Sequence, residues 1–203
     1  MKTLIFDFDG TIADSFDTLL GIFEEITGKH LTDQEIQQLR GESLKDIIKY
    51  LKLRRWQIPR IIIKAKRLLN IRMKNIKVFP GISNTLKQLH TDGYQLFVLS
   101  TNNSQNIAWF LKTNNIDYFS MIYGDIGLRS KSSALKKIIK KERLKHVDCV
   151  YIGDEMRDVE AAKKAGITSV GVTWGFNNAP AIKNSRPDFM AQKPTDLAKY
   201  LTS

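Results

Sequence analysis

Short apolar runs alternate with helical periodicities along most of the chain. Leu4-Ile5-Phe6 is apolar at every position and stops in a polar turn, the pattern of a parallel strand buried on both faces. Runs of the same kind occupy residues 95–99, 121–123, 147–152 and 168–172, and Phe189-Met190 begins a sixth. Helical spacing lies between them. Residues 82–90 follow a Pro80-Gly81 turn, 104–112 carry Ile107, Phe110 and Leu111, and 132–143 carry Leu135, Ile138 and Ile139 on one face. The alanine-rich stretch 155–165 stops at Gly166, a residue suited to the left-handed turn that closes a helix. Strands alternating with helices of this length predict βαβ units. The expected fold is therefore α/β, a Rossmann-like parallel sheet covered by helices on both faces.

One segment breaks the alternation. Residues 15–78 show only helical signals: Leu19, Leu20, Ile22, Phe23 and Ile26 at helical spacing, a helix opening at Thr32 with Glu35 in the capping-box position, and two more over 43–51 and 57–73. This predicts a small helical cap inserted over residues 15–79 into a core domain made of 1–14 and 80–203. The hinges are expected near Ala13-Asp14 and Phe79-Pro80-Gly81.

Composition narrows the class. The chain has 203 residues, 42% hydrophobic and 26% charged, enough to bury a core without disulfides or structural metal. The single cysteine, Cys149, lies in an apolar run with no basic neighbour, so a buried core thiol is expected rather than a nucleophile. The amino-terminal residues are charged too early for a secretory signal, and no apolar run approaches the ~20 residues that cross a bilayer. A cytoplasmic protein with no membrane partner is expected. The net charge is +11, and its excess has a place: residues 47–91 contain twelve Lys and Arg and no Asp or Glu. A second basic stretch runs over residues 129–145, with Glu142 its only acid. Such a field attracts phosphorylated metabolites, nucleic acid or an acidic partner, or simply solubilises the surface.

Ligands of open α/β sheets bind beyond the carboxyl ends of the strands. After the first run stands Asp7-Phe8-Asp9-Gly10-Thr11, two carboxylates and a tight turn rich in backbone N–H groups. Magnesium prefers oxygen ligands and keeps several waters, so one or two carboxylates there suffice. After the second stands Ser100-Thr101-Asn102-Asn103, donors for phosphate oxygens or helix caps. After the third comes residues 124–131, ending in Lys131 at a helix start, where a cation opposes the helix dipole and wants a compensating anion. After the fourth comes Gly153-Asp154-Glu155-Met156-Arg157-Asp158, with two acids at the beginning of a helix, where either the dipole or a cation favours them. Trp174, after the fifth, either lines a pocket mouth or covers the sheet edge. The three histidines fall away from strand ends. No nucleophile elbow, zinc spacing, GxGxxG or P-loop is present.

Taken together, these residues resemble the haloacid dehalogenase superfamily, and within it the phosphoglycolate phosphatase-like group. Asp7 to Thr11 matches the first family motif, Ser100 the second, Lys131 the third, and Gly153 to Asp158 the fourth, continued by Ala161-Ala162-Lys163-Lys164-Ala165-Gly166. The cap insertion between the first two motifs also fits. The resemblance implies a magnesium-dependent phosphatase in which Asp7 attacks phosphorus and Asp9 acts as acid and then base. It implies magnesium held by the Asp7 carboxylate, the Asp9 backbone carbonyl and Asp154, with Asp158 in support, and phosphoryl oxygens held by Ser100 and Lys131, with Gly10 and Thr11 at the turn. Thr101 is the alternative to Ser100. The third motif departs from the family in having Ser132 where proline usually follows the lysine. Arg40, in a cap loop with Gly41 and Glu42, is either a contact for a substrate anion or a structural loop arginine. The expected substrate is a small phosphorylated metabolite, phosphoglycolate or a sugar phosphate. A phosphomutase, or a nucleic-acid-binding or scaffold protein using the basic cap, are the alternative functions.

Overall fold

The computed structural model describes residues 2–127 and 131–201. Its centre is a sheet of six parallel strands. They are β1 (Thr3–Phe6), β4 (Gln95–Leu99), β5 (Phe119–Tyr123), β6 (Cys149–Gly153), β7 (Thr168–Val172) and β8 (Phe189–Ala191), in the order β5-β4-β1-β6-β7-β8. β1 sits in the middle, with Phe6 opposite Val98 on one side and Ile152 on the other. Crossing from β1 to β4 in one direction and from β6 to β7 in the other leaves a crevice at the carboxyl end of β1, the switch point at which such sheets bind ligands.

Both faces are covered, which is why β1 and β4 read as unbroken apolar runs. On one face Leu4, Phe6 and Val98 join Leu86 and Leu89 of α5 (Ile82–Thr91) and Ile107 and Phe110 of α6 (Ser104–Thr113). On the other, Ile5, Phe97 and Tyr151 meet Leu135, Ile138 and Ile139 of α7 (Lys131–Lys141) and Ala161, Ala162 and Ala165 of α8 (Met156–Ala165). Small alanines let α8 approach the sheet closely, and Gly166 ends it in the left-handed conformation (φ 72°). Two short helices, α9 (Ala179–Asn184) and α10 (Pro194–Leu201), complete the layers. Their length hides them from periodicity.

The insertion contains α1 (Phe16–Thr27), α2 (Asp33–Leu39), α3 (Leu44–Tyr50) and α4 (Gln57–Arg72). The capping box at Thr32 is present: the Glu35 backbone N–H donates to Thr32 Oγ1, and the Glu35 carboxylate accepts from the Thr32 N–H at 2.9 Å. Two corrections follow. The segment is not wholly helical, because β3 (Lys77–Val78) pairs antiparallel with β2 (Ala13–Asp14) where the chain leaves and re-enters the core. A two-residue ladder carries no readable period. The fourth sheet strand also starts at Cys149, not Val147, which stands 83% exposed in a single turn of 3-10 helix over His146–Asp148. Ile22, Leu69, Met73 and Ile76 of the insertion share one apolar cluster with Leu4, Phe6 and Phe8 of the sheet.

Cys149 is a buried strand thiol, and burial pushes its pKa up to about 11. His146 Nδ1 lies 3.0 Å from the Ala165 carbonyl, His90 packs against the Tyr118 ring, and His30 is exposed. Among the described residues no helix is long and apolar enough to cross a membrane.

Candidate active site

β1 ends at Phe6, and the next residue is already turning. The Asp7 N–H still donates to the Ile152 carbonyl at 2.8 Å, so the sheet itself sets where Asp7 starts. Phe8 is fully buried and anchors the turn, its carbonyl accepting from the N–H groups of Thr11, Ile12 and Ala13. Between these anchors Asp7 and Asp9 are held on short tethers. Gly10 takes φ +79°, and a Cβ on it would stand 2.1 Å from Asp154 Oδ2. The turn needs glycine on both counts.

β6 runs beside β1 and delivers Asp154 and Asp158. Asp154 is fully buried; Thr11 Oγ1 donates to its Oδ1 at 2.9 Å and the Phe176 N–H to its Oδ2 at 2.7 Å. Asp158 lies in the first turn of α8, and its Oδ2 accepts from the Glu155 N–H at 3.1 Å. Tyr151 Oη donates to Asp158 Oδ1 at 3.3 Å. Oxygens of Asp7, Asp154 and Asp158 all lie within 4.8 Å of one another.

Lys131 closes this group from the other side. It is the first residue of α7 and is buried. Its Nζ donates to Asp7 Oδ2 at 2.6 Å and also to Asp158 Oδ1. The anions that a lysine at a helix start wants are thus two carboxylates already in the protein. Leu128, Arg129 and Ser130, the end of the third motif loop and the start of the second basic stretch, lie outside the described residues.

The electrostatics follow from burial. Desolvation pushes the Asp7 carboxyl up to about 7, against the pull of Lys131 and with a further push from Asp158. Desolvation, then the charges of Glu155, Asp7 and Asp158, hold Asp154 well above the usual carboxylate range. When all three carboxyl groups are ionised, the one ammonium bonded among them leaves a surplus of two negative charges. Glu155 and Arg157 pair with each other at 2.5 Å, so neither is available to balance them fully. Three buried oxygen donors with a surplus of two negative charges suit a small divalent cation.

Asp9 has a different setting. Its carboxylate is not in the three-acid group; Oδ2 accepts from Asn102 Nδ2 at 3.0 Å, and Oδ1 is buried without a hydrogen-bond partner among the described residues. Burial raises its pKa, opposed by the neighbouring Ser15 and Asn102. Ser100 is buried at the end of β4, and its Oγ accepts from the Asn102 N–H at 3.0 Å, which leaves its own proton free to donate. Thr101 and Ser100 both line a cavity of about 220 Å³ with Asp7, Asp9 and Gly10. Phe16, Leu19, Ile62, Ala65 and Leu69 of the cap form an apolar wall, and Lys66 lines the cavity beside them.

Arg40 stands apart from that cavity's lining. Its Nη2 donates to the Gly175 carbonyl at 2.6 Å, and its guanidinium lies over the Phe16 ring, 4.8 Å from the centroid. The Arg40 carbonyl accepts from Asn177 Nδ2 at 2.9 Å and the Asn178 N–H at 3.0 Å. Of the two readings of this arginine, the structure favours the strut, here tying cap to core. Trp174 covers the turn after β1, donating from Nε1 to the Thr11 carbonyl at 3.1 Å.

Three contributors were not legible in advance. Asn102, which holds Asp9, was visible only as one of several polar residues in a turn. Asn177 lies three residues beyond Trp174, in the loop after β7, where no pattern marks it; its Oδ1 accepts from the Met156 N–H at 2.9 Å. Tyr151 sits in an apolar run where nothing marks its hydroxyl.

An open parallel sheet with buried acids at its switch point, and a mostly helical insertion after its first strand, defines an α/β protein of the Rossmann-like class. The family model described as haloacid dehalogenase-like hydrolase matches residues 4–172, and the chain belongs to that family. It is 33% identical to a phosphoglycolate phosphatase of Synechococcus elongatus over 207 residues, which cover 100% of this chain and 98% of that one. It is 25% identical to a pyrophosphatase of Listeria innocua, covering 97% of this chain and 94% of the other. Among solved structures, a haloacid dehalogenase-like hydrolase from Bacteroides fragilis superposes with a TM-score of 0.82 at 25% identity, covering 97% of this chain and 99% of that one. A family hydrolase from Streptococcus pneumoniae gives 0.81 at 23% identity, with 99% and 98% covered, and supports the fold alone.

Proposed function

We propose that this chain is a magnesium-dependent phosphomonoester hydrolase that uses Asp7 as its nucleophile and acts on a small phosphorylated metabolite of the phosphoglycolate kind. The observation that carries this reading is the convergence of Asp7, Asp154 and Asp158 within 4.8 Å, with Lys131 bonded to Asp7.

The ion would be held by Asp7, Asp154 and Asp158, with the Asp9 backbone carbonyl as a further donor. When bound it offsets charge between the nucleophilic carboxylate and the phosphate dianion. Asp7 brings the bond-forming oxygen: it attaches to phosphorus as the bond to the leaving oxygen breaks, forming an aspartyl-phosphate. Asp9 gives its proton to the leaving oxygen. A carboxyl whose pKa burial raises, with one oxygen left without a partner among the described residues, suits that step. Asp9 then takes a proton from the water that attacks the phosphorus, and Asp7 returns as a carboxylate. Ser100, with Thr101 beside it, and Lys131 stabilise the phosphoryl oxygens as their charge changes. Asp158 and Tyr151 keep Lys131 in position. The small cavity with an apolar cap wall favours a compact ester, and the cap, treated as a unit over residues 15–79, excludes water from it.

The test is phosphate release from p-nitrophenyl phosphate, phosphoglycolate, hexose phosphates and pyrophosphate, with and without magnesium, for the wild type and Asp7→Asn. Magnesium-dependent release that falls by about 10⁴-fold in the variant is expected. Equal rates in both proteins would exclude Asp7 as nucleophile. Isomerisation of a hexose phosphate without free phosphate would make the protein a mutase.

A further inference from the structure

Apart from Lys66, which lines the catalytic cavity, the basic cap finds no use in the chemistry above, and its outer face has an order of its own. Along α4 and the turn after it, Trp56, Arg60, Ile63, Arg67, Ile71 and Lys74 follow one another at intervals of three and four residues. They therefore form a single stripe, in which apolar and cationic side chains alternate. All six are exposed, Trp56 at 61%, Ile63 at 70% and Ile71 at 61%. The helix has sixteen residues, so the stripe is about 24 Å long. Trp109 of α6, also exposed, lies beside Ile71 and Lys74 and lengthens it. Of the residues of α4 that line the catalytic cavity, Ile62, Ala65 and Leu69 point nearly the opposite way, and Lys66 lies about a quarter-turn to the side of the stripe. The stripe is thus open while the cavity is occupied.

Its charge is one-sided. A groove along its flank is lined by Lys29, Lys52, Arg54, Arg60, Lys64 and Arg67, and by no carboxylate. Among the described residues none of Arg60, Lys64, Arg67 and Lys74 forms an ion pair. The partner must therefore be anionic. A second copy of this chain is disfavoured, because docking stripe on stripe would set cations face to face with no acid to pair them. Nucleic acid would use the arginines and Trp56, but phosphates and base edges offer nothing to two exposed isoleucines. A lipid surface uses every member: phosphate headgroups meet the cations, aliphatic chains receive Ile63 and Ile71, and tryptophan favours the boundary between them.

We propose that the outer face of α4 docks the protein on an anionic lipid surface. This goes beyond the catalytic reading and does not depend on it. It also revises the expectation of no membrane partner, which rested on spanning segments alone.

The test is co-sedimentation of the full chain with vesicles of phosphatidylcholine, alone or with about one third phosphatidylserine. Retention by the phosphatidylserine vesicles only, weakened by salt, is expected. The double variant Ile63→Gln with Ile71→Gln keeps the charge and the helix propensity, and should bind about tenfold more weakly. Arg60→Gln with Arg67→Gln should do the same through charge. Circular dichroism and phosphate release matching the wild type would show each variant folded. Failure to bind phosphatidylserine vesicles would overturn the proposal, as would wild-type binding by the isoleucine variant. A chain that ignores vesicles but retains poly-uridine at low salt would overturn it in favour of nucleic acid. A dimer abolished by the isoleucine changes would overturn it in favour of self-association.

Discussion

The floor and the roof of the cavity at the end of β1, the proposed catalytic site, are built on opposite plans. The floor belongs to the sheet. Asp7, Asp154, Asp158 and Lys131 are buried and Asp9 is half-buried, and most of their polar atoms are engaged by neighbours from other strands or loops. The roof belongs to the cap, where α3 buries no residue and α4 buries only Leu69. The difference teaches how the two regions divide the work. On the proposed function, charge that must be aimed in a dry site is carried by backbone whose position parallel pairing dictates, while the wall facing the substrate's remainder is mostly apolar, with Lys66 beside it, and lightly anchored. Arg40 is the exception, a cap residue joined to the loop after β7.

Four changes break or sharpen this comparison. The largest effect is expected at Lys131, among the described residues the only ammonium bonded to Asp7. Lys131→Met removes the charge but keeps the bulk, and should lower kcat by about 10³-fold. In denaturant unfolding without metal near pH 8, it should also cost about 3 kcal/mol, because two buried carboxylates lose their partner.

The same substitution in the two regions comes next. Gly10 and Gly28 both have left-handed backbone, at φ +79° and +66°, but a Cβ on Gly10 strikes Asp154 whereas one on Gly28 meets nothing within 4 Å. Gly10→Ala should lower phosphate release by about 10²-fold. Gly28→Ala should keep it and lose about 1 kcal/mol of stability in urea. Retained activity in Gly10→Ala would show that the floor is less rigid than its packing indicates.

Third is the coupling of metal to pH. The Asp7 carboxyl, raised by burial from 3.8 to about 7, disfavours the folded state once ionised. The metal-free protein should therefore lose stability as pH rises from about 4 through 7. Magnesium binds the ionised carboxylates. Its stabilisation, measured by thermal melting, should thus be larger near pH 8 than near pH 6, by about 3 °C. A shift independent of pH would place the ion elsewhere. The smallest effect is expected in the roof. Thr32→Ala removes one side of the α2 capping box on an exposed helix and should cost about 1 kcal/mol or less in urea, with kcat unchanged.

Much of this molecule was written locally. Unbroken apolar runs predict parallel strands because both sheet faces are covered, and five of the six strands were located from them to within two residues. The alanine run of α8, the stop at Gly166 and the Thr32 capping box depend on neighbours three or four residues away, within reach of a periodicity. The acids after β1 and β6 were visible for a related reason, since a strand end in such a fold faces the crevice. What depended on partners distant in the chain was not visible. The hydrogen bond from Asn102 to Asp9 spans 93 residues, that from Thr11 to Asp154 spans 143, and that from Arg40 to Gly175 spans 135. The tertiary structure alone decided that Asp9 turns away from the three-acid group, that Asp158 holds Lys131, and that Arg40 serves as a strut. Side-chain type and spacing determine which groups reach the end of a strand, whereas the direction each one faces is set by whichever donor the rest of the fold brings within 3 Å.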